Sequence, residues 1–236
     1  MPPARAPRKP ARKTSPRAGP YSGPSVPVIR CEETLAAAFE ALRARDRELI
    51  DRLVATAGPP PLRLREPGFA GLAWIVVSQQ VSTASARAIH GRLAARFPEF
   101  SPANLLAADD DALKSCGLSA PKMRTLRAVA RAITSGDLDF EALATMDAKS
   151  AHVVMTAVHG IGPWTADIYL LFCLGHPDAW PVGDLALQEA ARMALGLKSR
   201  PDAKQLEIIG ERWRPARGVA ARILWAWYGV AKSPGK

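Results

Sequence analysis

Cysteine is scarce in this 236-residue chain: Cys31, Cys116 and Cys173 are an odd number, lie far apart and form no C-x-x-C pair. A disulfide framework, a zinc site and a four-cysteine iron–sulfur site therefore lack their ligands, and buried thiols in a reducing compartment are expected. Long apolar runs are missing too. Leu72–Val77 stops at Ser78-Gln79-Gln80, far short of the roughly 20 residues that span a bilayer, which excludes a membrane protein. No apolar run follows the first charges, as a secretory signal requires, because prolines and arginines continue to Tyr21. The same prolines oppose the amphipathic helix of an organellar transit peptide. No segment alternates like a strand for long, and no repeat recurs at a fixed period. Acid is absent from residues 1–30, which hold Arg5, Arg8, Lys9, Arg12, Lys13, Arg17 and Arg30 together with eight of the 21 prolines.

What is present is positive charge, a net +10, which points to a polyanionic partner. Without the seven basic residues of the first thirty, the remainder carries 25 basic and 22 acidic residues, only +3. Residues 1–28 bury too little apolar surface to offset their ordering entropy and read as a disordered basic tail that adds salt-sensitive, sequence-independent affinity. The rest, in a chain 48% hydrophobic, suffices for one core or for two small subdomains sharing a cleft.

From residue 31 onward apolar residues recur every three or four positions, so the fold class is all-α. One helix is expected from Glu33 to Thr56, ended by Gly58-Pro59-Pro60-Pro61, and a second from about Phe69 to Arg96. The centre of the second, Ala73–Val77, is apolar on every face and belongs in the middle of the core. Polar residues Ser78-Gln79-Gln80-Val81-Ser82 interrupt it. Ser101-Pro102 opens a short helix, Asp109–Cys116 gives another, and Ser119 caps a longer one that ends at Gly136. Further helices are expected at 139–145, 147–158, 164–174, 184–195, 203–213 and 218–230.

The most informative segment, Val158-His159-Gly160-Ile161-Gly162-Pro163-Trp164-Thr165-Ala166, reads as a helix, a tight glycine hairpin and a second helix. Gly160 and Gly162 allow positive φ and remove side chains, so hairpin N–H groups and a helix N-terminus can face an anion such as a DNA phosphate. An ordinary helical hairpin fits the same letters. Twenty residues after Trp164, Asp184 stands where a glycine-containing loop enters the next helix; alone it reads as an N-cap.

Taken together, Ile75–Ser82 (IVVSQQVS), Gly117-Leu118-Ser119 with Lys122, Gly160–Ala166 (GIGPWTA) and Asp184-Leu185-Ala186-Leu187 resemble the helix-hairpin-helix DNA glycosylase superfamily, in its DNA-3-methyladenine glycosylase II (alkylpurine) branch. The resemblance runs from about residue 33 to 230. It implies a helix-hairpin-helix glycosylase fold whose cleft lies between a central subdomain, about 70–180, and a second built from 31–69 plus 181–236, all within a 29–236 helical domain. Position by position, Asp184 matches the catalytic aspartate. Gly160, Ile161 and Gly162 match the phosphate-binding hairpin, flanked by His159 and Thr165, and the backbone of His159 and Ile161 matches a frequent monovalent-cation site. Gln80 is the nearest match to the residue inserted into DNA, with Ser82 and Lys122 as further DNA contacts; an amide pair capping buried backbone is the alternative reading of Gln79-Gln80. Trp164 occupies the place of the nucleophilic lysine of bifunctional members, which implies base hydrolysis without strand cleavage, and it forms a wall for a cationic base or else packs the core.

The resemblance further implies damaged double-stranded DNA as partner, no cofactor and no iron–sulfur cluster, a monomer, and a cytoplasmic, nucleoid or nuclear location. Departures limit it. Ile168 stands where some members carry an aromatic, and Trp213-Arg214-Pro215-Ala216-Arg217 replaces W-x-P-W-R, so a less aromatic pocket is expected. Nothing before Glu33 could supply the extra N-terminal β domain of some relatives. Trp225, Trp227 and Tyr228 read as core, and His152, His159, His176 and Asp178 follow no tight metal-ligand spacing. Competing readings are a mismatch or oxidised-base glycosylase on the same fold, a non-catalytic helix-hairpin-helix module, and an all-α adaptor whose tail binds RNA.

Overall fold

A computed structural model describes residues 26–232, and among them there is no β-strand. The tail expected over 1–28 lies outside the described residues except for its last three, of which Val26 packs on the protein's core. The helices are α1 (Glu32–Arg43), α2 (Arg47–Ala57), α3 (Phe69–Ser78), α4 (Thr83–Arg96), α5 (Pro102–Ala107), α6 (Asp110–Ser115) and α7 (Ala120–Ser135). They continue with α8 (Phe140–Thr145), α9 (Ala148–Thr156), α10 (Pro163–Phe172), α11 (Leu185–Leu195), α12 (Ala203–Gly210), a 3-10 turn (Glu211–Trp213) and α13 (Arg217–Ala231).

Short polar side chains set many of the starts. Ser82, Ser101, Asp109, Asp139, Asp147, Asp184 and Asp202 each accept a backbone N–H of the helix they open. Two long helices of the sequence reading are four shorter ones. The first breaks at 44–46, where Asp46 leaves helical geometry (φ −152°, ψ 59°) and its carboxylate takes Trp213 Nε1 at 3.0 Å and Arg212 at 3.1 Å. A tertiary partner distant in sequence thus outweighs local helical propensity. The second breaks at 79–82, where Gln80 is left-handed (φ 56°) and Ser82 restarts the chain as the N-cap of α4.

Two apolar clusters form. One gathers residues of α3 to α10 from Phe69 to Ala179, with Leu72, Val76, Leu126, Tyr169 and Leu170 fully or almost fully enclosed. The other joins α1 and α2 to α11, α12 and α13 around Leu42, Ile50, Trp180 and Trp213. The chain therefore leaves the second cluster after α2, builds the first, and returns at Trp180, just before Asp184. Trp225 of α13 packs against both, which marks the seam between them.

The return loop is clamped. Asp178 is buried and accepts from Arg217 Nε and Nη2 at 2.9 Å each, and from Arg214 Nη1 at 2.6 Å. Arg217, also buried, reaches Glu207 at 2.9 Å. A charge taken out of water is tolerated when paired this fully, and the network holds residues 175–183 against α12 and α13.

Candidate active site

The loop ends at Asp184. Its Oδ1 accepts from Leu187 N at 2.8 Å, which makes it the N-cap of α11, and also from Trp225 Nε1 at 3.1 Å; its Oδ2 accepts from Trp164 Nε1 at 2.9 Å. Three helices thus fix one half-buried carboxylate, two of them through indole N–H groups. Such charge-assisted bonds are short and orienting. An N-cap needs only the first contact, so the two indoles are what a cap alone does not explain.

Beside this carboxylate lies a cavity of about 260 Å³, lined by Arg63, Arg65, Trp74, Ile75, Ser78, Trp164, Ile168, Phe172 and Trp225. Four aromatic side chains, Trp74, Trp164, Phe172 and Trp225, line it beside Ile168, which stands where an aromatic was noted as absent. Trp213 is instead fully enclosed, edge-on to Trp180 at 5.6 Å. Trp225, expected in the core, belongs to the pocket wall and to Asp184. Nothing in its sequence position announced this, because its partner is 41 residues away.

The walls are stiffened from behind. The His90 ring stacks on Trp74 at 3.9 Å and 20°, and burial holds its imidazole below the ordinary histidine value. Arg65 lies over Trp74 at 5.2 Å, and Arg222 over Phe172 at 4.7 Å. Arg222 is buried, its guanidinium pushed down to about 10 by burial. It donates to the carbonyls of Arg63 at 3.1 Å and Leu171 at 2.8 Å, while Arg65 N donates to Phe172 O at 2.7 Å. The segment between α2 and α3 is thereby pinned as the rim of the pocket.

The hairpin sits at the other end of α10. Ile161 N closes it on Val158 O at 3.0 Å, and the Ile161 side chain is buried as its anchor. His159 and Gly160 are exposed, with Gly160 at φ 87°. A Cβ there would also collide with Thr125 Oγ1, so glycine is required twice over. No side chain caps α10, which leaves the N–H groups of Trp164 and Thr165 without intrahelical partners at the positive end of the helix dipole. The His159 and Ile161 carbonyls take none of the backbone bonds that close the hairpin.

The remaining residues expected at the DNA surface divide. Gln80 is exposed at the α3–α4 turn and Ser82 is exposed as the α4 cap. Thr165 is buried and its hydroxyl accepts from Gln79 Nε2 at 2.7 Å. Lys122 Nζ donates to Val77 O at 2.7 Å, and burial lowers its ammonium's proton affinity. Both therefore brace the turn that presents Gln80 rather than reaching outward themselves.

A helix, glycine hairpin and helix followed by a carboxylate capping the next helix, in a seam between two helical cores, defines a helix-hairpin-helix architecture. The chain belongs to the HhH-GPD superfamily of base excision DNA repair proteins, whose family model matches residues 73–215. Among curated relatives, a DNA-3-methyladenine glycosylase of Bacillus subtilis is 27% identical over 66% of this chain and 56% of its own length. The DNA-3-methyladenine glycosylase 1 of Schizosaccharomyces pombe is 28% identical over 74% and 78%. This chain therefore spans little more than half of the bacterial relative. Among solved structures, a DNA-3-methyladenine glycosidase of Bacillus halodurans superposes with a TM-score of 0.75 at 32% identity, covering 83% of this chain and 90% of that one. The 3-methyladenine DNA glycosylase of S. pombe, in complex with abasic DNA, gives 0.70 at 26% identity over 84% and 97%.

Proposed function

We propose that the protein is a monofunctional DNA glycosylase of base excision repair that hydrolyses the N-glycosidic bond of alkylated purines of the 3-methyladenine and 7-methylguanine type, leaving an abasic site. The observation that carries this reading is the Asp184 carboxylate, held by Trp164 and Trp225 beside an aromatic cavity and one helix away from the glycine hairpin.

The hairpin amides and the α10 N-terminus bind a backbone phosphate of the duplex, with His159 alongside. A purine is unreachable inside the stack, so the nucleotide is flipped into the cavity and Gln80, on its left-handed turn, fills the gap. Cleavage of C1′–N builds positive charge on the sugar. Asp184 stabilises that charge and orients a water, whose oxygen bonds to C1′ and gives its proton to the Asp184 carboxylate and thence to solvent, while the cationic base departs neutral with the bonding pair. An N3- or N7-alkylated purine already carries positive charge, so it leaves without a strong general acid, and the faces of Trp164 and Trp225 favour it by about 0.5–2 kcal/mol. Trp164 offers no amine, so no imine forms and the strand stays intact. The hairpin carbonyls of His159 and Ile161 would hold a monovalent cation that steadies the phosphate.

The test is base release from duplexes carrying 3-methyladenine, 7-methylguanine, ethenoadenine, hypoxanthine or 8-oxoguanine, with Asp184→Asn as control. Release of the alkylated bases, lost in the variant while duplex binding persists, supports the reading. An adduct trapped by borohydride, or preference for 8-oxoguanine, defeats it.

A further inference from the structure

The polar groups of the lesion cavity are nearly all of one kind. Arg63 and Arg65 at the rim donate hydrogen bonds and cannot accept them. Trp74, Trp164 and Trp225 likewise carry donor N–H groups only, and two of these are already committed to Asp184. Ile75, Ile168 and Phe172 offer neither. Among the nine lining side chains, Ser78 alone can accept a hydrogen bond.

Ser78 is also unusual in what it lacks. It is the last residue of α3, its Oγ is sealed from solvent, and it has no hydrogen-bond partner. A buried hydroxyl without a partner is uncommon and needs a reason. Helical serines ordinarily satisfy themselves on the carbonyl four residues back, and this one does not. Rotation about its Cα–Cβ bond, between staggered wells, breaks no existing bond, and the residue already lines the cavity. The protein thus carries a free acceptor at the wall of a site otherwise furnished with donors.

We propose that Ser78 is a specificity residue that accepts a hydrogen bond from an exocyclic amine of the flipped base, so that the cavity selects amine-bearing alkylpurines over lesions whose edge has no N–H. This rests on the glycosylase reading of the cavity and narrows its substrate class. 3-Methyladenine keeps its 6-amine, made a stronger donor by the positive charge of the ring. In 1,N6-ethenoadenine the same nitrogen is closed into a ring and has no hydrogen to give, so Ser78 has nothing to accept.

The experiment uses the full chain, with Ser78→Ala and Ser78→Cys, and reads binding rather than turnover. Three duplexes are compared by fluorescence anisotropy, carrying 3-deaza-3-methyladenine, which keeps the amine but is not excised, 1,N6-ethenoadenine, or a tetrahydrofuran abasic analogue. Both variants are expected to lose affinity for the amine-bearing duplex by roughly 3- to 10-fold, the worth of one hydrogen bond, and to bind the other two as the wild type does. Because the hydroxyl has no partner in the free protein, Tm should hold or rise in Ser78→Ala. Equal losses on all three duplexes, no loss on the amine-bearing one, or a fall in Tm in both variants overturns the proposal. Failure of the wild type to release any alkylated base would defeat the glycosylase reading instead, and the ratio of binding affinities would still decide the role of Ser78.

Discussion

The indole N–H of Trp225 donates to Asp184 Oδ1 at 3.1 Å while that of Trp164 donates to Oδ2 at 2.9 Å, so each carboxylate oxygen is aimed by a different helix. Trp225→Phe keeps a ring in the cavity wall and removes only one of these donors. Loss of one hydrogen bond to a charged group corresponds to about 1.5–3 kcal/mol, or roughly 10- to 150-fold in rate if it is felt fully in the transition state. The expected result is a fall in single-turnover excision rate within that range, with duplex affinity unchanged. An unchanged rate would show that the Trp225 contact is packing alone.

The hairpin and Asp184 were legible in the sequence because each depends on residues adjacent in the chain: Gly160 on its own positive φ, Asp184 on the helix it caps. The pocket was not, because it is built by long-range pairs. Trp225 looked like one more apolar residue of α13, Trp74 like the centre of a helix apolar on all sides, and Arg63 and Arg65 like linker. Only the packing of α13 across the seam, with Arg222 tying the linker to the end of α10, turns them inward. The break at Asp46 was missed for a related reason, while at Gln80 the polar run Ser78–Ser82 marked an interruption but not its geometry. The first is fixed by Trp213 from far along the chain, and the second by a left-handed residue that no glycine signals.

Asp184 is both cap and candidate catalytic group, and two substitutions separate the roles. Asparagine is as good an N-cap as aspartate, whereas alanine costs about 1 kcal/mol there. Asp184→Asn is therefore expected to keep the cap bond, to lose stability only where its amide NH2 meets the Trp164 indole N–H, and to lose excision by at least about 10²-fold, the usual loss when a group stabilising transition-state charge is removed. Asp184→Ala should lose both. Urea unfolding beside base-release assays checks this; an Asn variant that excises normally would reduce Asp184 to a cap.

The two glycines of the hairpin are predicted to behave differently. Gly160 is left-handed and a Cβ there meets Thr125, so Gly160→Ala should lower stability by more than about 1 kcal/mol and weaken duplex binding with it. Gly162 has an ordinary φ of −83° and open space around it, so Gly162→Ala should keep its Tm. Any loss of duplex affinity in Gly162→Ala then reports obstruction of the phosphate site itself. Equal Tm values for the two variants would contradict the requirement at Gly160.

On the far side of α10, Asp167 is buried and its carboxyl is pushed up to about 8, chiefly by burial, with Glu207 adding to the effect and Arg217 opposing it. Its nearest basic neighbour, His152 Nε2, lies 3.7 Å away on α9. The folded chain therefore keeps a proton that the unfolded chain releases near pH 4. The associated stability is complete below that value and is lost as pH rises toward 8. His152 and His176, held below the ordinary histidine value mainly by burial, act oppositely: their contribution is present above about 6.5 and lost as pH falls. Between about pH 6.5 and 8 only the Asp167 effect remains, with a slope of up to about 1.4 kcal/mol per pH unit. Asp167→Asn, which keeps the shape and cannot ionise, should flatten that decline and be the more stable protein at pH 8. Urea titrations across this range measure both slopes, and parallel curves for the two proteins would mean that Asp167 is ionised in the folded state.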